Sequence, residues 1–419
     1  MLRRYCLLLF FSVPLWAQPG LDAGRLTPLD SLMQQAVAAG QTPGAVLLVG
    51  QGEQVLYHKA FGRFSTAASA EVQPDTLYDW ASLTKPFTAT LILRLQELGK
   101  LSLSDAIGQY LPELTEPTVQ AISIRDLLTH SSGLPASFDL QTHWTGSQGL
   151  ATQLAALRLT QAPGQFVYSD IGFVLLGLIA ERAGALPLAE LMQQWVFAPL
   201  KMQETAYQRL CQPWCPPAEK RLKRTAPTAL RSSHPAYQWL PAEVQQLQGI
   251  VHDPTAQRLA GVAGHAGLFG TAADLALWLQ MLQQGLQGQS TAVLSPASAQ
   301  LMVSPYWLPS KSGPQARGLG LDMHSAYSSA RGELFPPGSV GHTGYTGTSF
   351  WLDPQSGTYL VLLTNRTYPD DSATIRRLRS QLATVVAAAV TGMNWQQRRQ
   401  SDAWFQASRP VEPPSRRGL

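Results

Sequence analysis

Two β-rich runs near the start of the chain, two more near its end and a long stretch of helical periodicity between them predict an α+β fold. The expected architecture is an antiparallel sheet built from both termini and flanked by helices, with an all-helical lobe inserted at about residues 83–290. At 419 residues and 45% hydrophobic the chain can bury a large core, which excludes a disordered or fibrous protein. Only 14% of residues are charged, and 31 basic against 27 acidic side chains give a net charge of +4. The bunched arginines Arg376, Arg377, Arg379, Arg398, Arg399, Arg416 and Arg417 lie away from interleaved aromatics, so they read as solvated surface, with no nucleic-acid partner expected.

Residues 1–17 carry Arg3 and Arg4, an apolar run over 7–16 and a small-residue end at Ala17, the pattern of a cleaved export signal. The run is too short, and too interrupted by Pro14, to span a bilayer comfortably. A periplasmic or secreted protein is expected, with an uncleaved leader tethering it to the inner membrane as the alternative. Cys6 leaves with the leader, and export places Cys211 and Cys215 in an oxidising compartment, where a small disulfide loop is the favoured reading. A zinc site would need further ligands at the usual spacing, and none follow.

Residues 29–38 have helical periodicity, and AVLLVGQGEQVLYHKAFG reads as a hairpin turning at Gly50-Gln51-Gly52-Glu53. From Ser82 the apolar positions Phe87, Leu91, Leu95 and Leu98 recur at helical spacing until Gly99 supplies a stop. Pro86 is comfortable only in a first turn, so this helix begins close to Ser82. LSDAIGQYLPEL, SIRDLLTH, LATQLAALRL and IGFVLLGLIAERAG continue the helical signal. The polar, Pro-rich chain over 211–252 reads as a long surface excursion. A helix follows at 272–286, then strands TSFWLDP and TYLVLLTNR, a closing helix over 372–390, and a tail at 396–419 that its Arg, Gln and Pro content marks as flexible. The folded unit is therefore bounded at 18–395.

Three short motifs carry chemistry. In Ser82-Leu83-Thr84-Lys85 the three-residue spacing puts the Lys85 amine on the same helical face as the Ser82 hydroxyl. A serine is a poor nucleophile until a neighbour takes its proton, and lysine can do so if burial lowers its pKa. In Tyr168-Ser169-Asp170, Tyr168 beside a cation can shuttle a proton, and Asp170 can orient Lys85 or a substrate amide. In Gly341-His342-Thr343-Gly344-Tyr345, small residues allow close backbone approach, while His342 and Thr343 can bind a carboxylate. Taken singly, each motif has a structural explanation: an N-cap, a core tyrosine before a capping aspartate, a glycine-rich turn. His252, Asp253 and His265 sit at no recognised metal spacing and are expected to have a structural or cleft-wall role; no metal and no cofactor are expected.

Taken together, the order S-x-x-K, Y-S-D, H-T-G resembles the serine β-lactamase and penicillin-binding protein superfamily, most closely its class C and low-molecular-weight carboxypeptidase members. IRDLLTHSSGLP, VHDPTA, VAGHAGLFGT and GHTGYTGTSFWLDP resemble a closer branch, the D-alanyl-D-alanine carboxypeptidase-like proteins. The resemblance implies Ser82 as acylated nucleophile, Lys85 as its base and Tyr168 as partner in proton transfer. Asp170 would stand where an asparagine positions the substrate amide. His342 and Thr343 would hold a carboxylate end, Gly344 would belong to the same substrate-binding stretch, and the N–H groups of Ser82 and Tyr345 would form the oxyanion hole. It further implies small peptide or ester substrates, cell-wall stem peptides first among them, with β-lactams as inhibitors. A carboxylesterase or a penicillin-binding sensor without turnover are the alternatives. Y-S-D and H-T-G depart from the Y-A-N and K-T-G of most β-lactamases, adding a negative charge and removing a fixed positive one, which weighs against an efficient lactamase.

Overall fold

The computed structural model describes residues 19–65, 69–142, 144–210 and 218–409. The leader and the pair Cys211 and Cys215 lie outside the described residues. The main body is an eight-stranded antiparallel sheet. Its strands are β1 (Gly44–Gln51), β2 (Gln54–Gly62), β3 (Tyr306–Leu308), β4 (Gln315–Gly318), β5 (Leu321–His324), β6 (Val340–Thr343), β7 (Ser349–Leu352) and β8 (Thr358–Thr364), in the spatial order β2-β1-β8-β7-β6-β5-β4-β3.

The apolar run of β1 is explained by its place. Successive side chains of a strand point to opposite faces, and here Val46 and Leu48 enter the main core while Ala45, Leu47 and Val49 enter a second one. On β8, Val361 and Leu363 face the first core and Leu360 and Leu362 the second. A strand covered on both faces has no polar side to alternate with. The second core is closed by α1 (Pro28–Ala38) and α5 (Arg376–Ala388), through Leu29, Met33, Leu378 and Leu382. Each fully buried leucine contributes about 1.5–3 kcal/mol, so a charge at Leu48 or Leu362 would break the sheet from either side.

On the other face lies the helical lobe. Its central helix α2 (Thr84–Glu97) is buried almost all round, as expected of a helix inside a large core. Phe87 clamps its first turn, with ring centroids 5.2 Å from Trp80, 5.1 Å from Trp278 and 6.0 Å from Phe197. Across α2 runs α3 (Asp170–Gly184), capped by the Ser169 hydroxyl accepting from Gly172 N–H; α4 (Ala272–Leu286) packs between the lobe and the sheet. Among the described residues no single helix is long and apolar enough to cross a membrane.

Several sequence expectations are corrected. The hairpin turns at Gly52-Glu53, with Gln51 and Gln54 already paired. LSDAIGQYLPEL forms only the 3₁₀ turn Ile107–Gln109; its periodic Leu103, Ile107, Leu111 and Leu114 are buried by a loop whose Ile107 N–H bonds Ile122 O. The lobe is not purely helical, since Tyr78–Asp79, Leu268–Gly270 and Ala206–Tyr207 form a small three-stranded sheet. The described part of the polar excursion holds its own small core around Tyr237, Leu240, Leu247, Ile250 and Val251. The closing helix is the shorter α5. Finally, the segment read as a flexible tail includes α6 (Trp395–Ala407), where Phe405 is buried and Arg398 pairs at 2.9 Å with the buried Asp353.

Candidate active site

The three motifs meet at the junction of lobe and sheet. Ser82 sits at the entrance to α2, in a turn held from several sides. Asp79, fully buried, accepts from Ala81 N–H at 2.9 Å and His252 N–H at 2.7 Å. Thr346 and Thr348 hydroxyls donate to the carbonyls of Asp79 and Trp80 at 2.8 and 3.0 Å. The turn places Ala81 at φ +49°, a left-handed conformation that costs a non-glycine residue about 1–2 kcal/mol. Burial pushes the Asp79 carboxyl up to about 7, against the pull of its two N–H donors.

Lys85 is completely buried. Its ammonium donates to Ser82 Oγ at 2.9 Å and His265 O at 3.2 Å, lies 2.7 Å from Asp170 Oδ1 and sits 5.0 Å from the centre of the Tyr168 ring. The expectation that burial lowers the Lys85 pKa is overturned. Burial does oppose its charge, yet the Asp170 carboxylate and Tyr168 outweigh it and hold the amine above its ordinary value. Asp170 begins α3 and reaches Lys85 because α3 crosses α2 closely. Gly264 permits the carbonyl contact beneath: a Cβ there would lie 2.1 Å from Phe173 O, so only glycine brings the 264–265 backbone against α3 and His265 O under Lys85.

Tyr168 stacks on His130 at 4.4 Å, and His130 Nδ1 accepts from Ser169 N–H at 3.1 Å, fixing the ring plane. Desolvation pushes the Tyr168 hydroxyl up in spite of the Lys85 charge, and that hydroxyl faces both Lys85 and Ser82. Opposite, β6 presents His342 and Thr343, and the chain turns through Gly344 beneath Trp80: a Cβ at Gly344 would meet Thr348 Oγ1 at 2.1 Å and Trp80 O at 2.6 Å. His342 is buried, and burial with the nearby Arg317 and Lys85 charges keeps it well below the ordinary histidine value. It is therefore neutral, with Nδ1–H donating to Thr343 O at 2.9 Å. No hydrogen bond among the described residues takes up the backbone N–H of Ser82 or Tyr345, as an oxyanion hole requires.

These groups line a cavity of about 330 Å³ shared by Ser82, Tyr168, His342, Thr343, Gly344 and Tyr345. Sequence reasoning missed its other wall. Arg366, Arg376 and Arg379 also line it, although the last two had read as solvated surface. Arg379 donates to the carbonyls of Gly344, Gly347 and Thr348 at 2.8, 3.2 and 2.7 Å, buttressing the 344–348 turn. Burial, with Arg366 and Arg376 close by, lowers it to about 9, so it is still charged at neutral pH. Arg366 pairs with Asp371, which also accepts from the Tyr345 hydroxyl. The available signal was the three-residue spacing of Arg376 and Arg379, which puts them on one helical face.

His252, Asp253 and His265 touch residues of the site without lining its cavity. The His252 ring lies 5.5 Å from that of Tyr345, and Asp253 Oδ1 sits 2.7 Å from His265 Nε2. Among the described residues no cluster of three metal-ligating side chains forms.

A family model described as Beta-lactamase matches residues 29–384. The chain belongs to the beta-lactamase family. Among its curated relatives, the N-acetylmuramyl-L-alanine amidase of Bacillus subtilis (strain 168) is 29% identical over 372 residues, covering 82% of this chain and 81% of the relative. An Escherichia coli (strain K12) protein named "Putative D-alanyl-D-alanine carboxypeptidase" is 29% identical over 375 residues, covering 83% of each. Solved structures share the fold. EstCE1, a hydrolase with promiscuous acyltransferase activity, matches at TM-score 0.68 and 23% identity over 87% of this chain and 99% of its own. A Beta-Lactamase/D-Alanine Carboxypeptidase from Pseudomonas syringae matches at 0.66 and 20% over the same shares. This member of the beta-lactamase family is thus a serine hydrolase on an α+β scaffold, as the order of its motifs implied.

Proposed function

We propose that the protein is an exported D-alanyl-D-alanine carboxypeptidase acting on cell-wall peptides through an acyl-enzyme on Ser82. The observation that carries this reading is the cationic wall of the catalytic cavity. H-T-G lacks the fixed charge of K-T-G, but Arg376 and Arg379 lie on the same cavity as Ser82 and Thr343, so a peptide carboxylate meets positive charge on the sheet side. Two relatives named for cell-wall chemistry support the substrate class. The leader-like residues 1–17 support export.

In this reading Ser82 Oγ attacks the carbonyl of the penultimate D-alanine while the Ser82 and Tyr345 N–H groups receive the developing oxyanion. Thr343, aided by Arg376, holds the terminal carboxylate. The leaving amine takes a proton by way of Tyr168, and water then releases the acyl group. β-Lactams mimic the same carbonyl and would acylate Ser82.

The test is D-alanine release from a short D-Ala-D-Ala peptide, expected from the wild type and lost in Ser82→Ala, beside intact mass with and without benzylpenicillin. A second reading, a carboxylesterase, is favoured by the neutral His342. Brisk hydrolysis of a short-chain aryl ester with no D-alanine release and no penicillin adduct would replace the first reading by the second. A long-lived adduct without turnover would indicate a sensor.

A further inference from the structure

The surroundings of Lys85 leave no lone pair for Ser82. An ammonium has three N–H donors and no acceptor; this one donates to Ser82 Oγ at 2.9 Å and His265 O at 3.2 Å, and forms an ion pair with Asp170 Oδ1 at 2.7 Å. Held as an ammonium by that ion pair, Lys85 at rest points a proton, not an electron pair, at the serine. To accept the Ser82 proton it must first release one of its own. The nearest group able to take it is Asp170.

We propose that Asp170 is the final acceptor of the Ser82 proton during acylation, with Lys85 as the relay between them. As Ser82 Oγ bonds to the substrate carbonyl carbon, the carbonyl π pair moves onto oxygen and the Oγ–H bond breaks. That proton passes to Lys85 Nζ while a different Nζ–H proton passes to Asp170 Oδ1. Lys85 remains an ammonium and Asp170 becomes a neutral acid. When the tetrahedral adduct collapses, the proton returns from Asp170 through Lys85, and on through the Tyr168 hydroxyl, to the departing group. Charge never leaves the buried site, and no proton is exchanged with solvent before attack.

The other groups facing Lys85 cannot replace Asp170. His265 offers its carbonyl. Tyr168 is pushed up as an acid. His130 and His342 are held neutral by burial and by the Arg317 and Lys85 charges. Asp253 is held low by its His265 partner. Asp79 lies beneath the 79–82 turn, bonded to Ala81 and His252 N–H; its titration near 7 would affect the wild type and an Asp170 variant alike.

The inference rests on Ser82 acylation but not on the D-alanine substrate, so the probe is p-nitrophenyl acetate, whose leaving group needs no proton. The second-order rate of acylation is followed by stopped flow from pH 5 to 10.5 for wild type, Asp170→Asn and Asp170→Glu, with Ser82→Ala as the blank. The wild-type rate is expected to reach its plateau by neutral pH. Asp170→Asn should lose at least about 100-fold at pH 7, the usual worth of a positioned acid–base group, and regain rate as alkali strips Lys85. Asp170→Glu should recover part of the loss at pH 7. A wild-type rate that climbs steadily to pH 10, or Asp170→Asn acylating as fast as wild type at pH 7, would make Lys85 the base and overturn the proposal. Should Asp170→Asn fail to fold, the wild-type profile decides alone. A burst without D-alanine release in the separate peptide assay would sink the carboxypeptidase reading while leaving this one standing.

Discussion

The two walls of the catalytic cavity are built on opposite principles. The lobe wall, from α2 and the entrance to α3, concentrates groups that exchange protons: Ser82, Lys85, Tyr168 and Asp170 contact one another, and Lys85 is wholly buried. The sheet wall, from β6 to α5, has groups whose charge is settled. His342 is neutral, Arg379 donates to three carbonyls, and Arg366 is paired with Asp371. Proton transfer needs donor and acceptor atoms in direct contact, whereas holding a substrate end needs fixed charge and fixed geometry. The difference teaches that chemistry and recognition here can be damaged separately.

The largest separation is expected at Ser82→Ala, which should lose on the order of 10⁶ in acyl-transfer rate while melting like wild type and still binding substrate; steady-state rates with equilibrium dialysis check it. Tyr168→Phe should lower kcat by about 10²–10⁴ with little change in KM for a peptide, since the ring and its stack on His130 survive. Across the cavity, Arg379→Ala removes a side-chain donor from three carbonyls of the 344–348 turn, of which those of Gly344 and Thr348 keep a backbone N–H and that of Gly347 is left with none. It should lower stability by about 2–3 kcal/mol in urea unfolding, with the turn as the first segment to lose hydrogen-exchange protection.

Two carboxylates behind the site, the buried Asp79 and the half-buried Asp253, should respond to pH with opposite sign. Asp79 is raised by burial from 3.8 to about 7, so its contribution is present below pH 3.8 and lost as pH rises through about 7. Asp253 is lowered to about 2, its His265 partner outweighing burial, so its contribution is present above pH 3.8 and lost as pH falls toward 2. Tm should therefore decline from pH 5 to 8 less steeply in Asp79→Asn, and from pH 4 to 2 less steeply in Asp253→Asn. The smallest effect belongs to the exposed Arg376: Arg376→Ala should raise KM for a carboxylate-ended peptide up to about 10-fold, leaving a neutral ester unchanged.

What could be read from sequence follows the same division. Ser82 and Lys85 lie one helical turn apart, so local periodicity alone shows that they meet. The β1 and β2 hairpin and α4 were equally local. Strands β3, β4 and β5 were missed because each has only three or four residues, too few for alternation to show. The charge state of Lys85 was misjudged because it depends on Asp170, which a different helix delivers. Arg379 looked like surface because nothing near it in sequence reveals the carbonyls of residues 344–348. The segment after residue 394 looked loose because its buried partner, Asp353, lies in a strand turn far upstream.

The position of β1 also dictates an order of events. Its two neighbours are β2, made at once, and β8, where Leu48 faces Val361 and Val46 faces Leu363 across some three hundred residues of chain. Even the first described strand, Gly20–Leu21, pairs with Val390–Thr391, beyond α5. A ribosome must therefore carry the chain past residue 364 before the centre of the sheet can form, and until then one edge of an apolar hairpin stands open. Distant pairings of this kind fold slowly and expose sticky edges meanwhile. Any expression host will need to shield this hairpin until Thr358–Thr364 has been made.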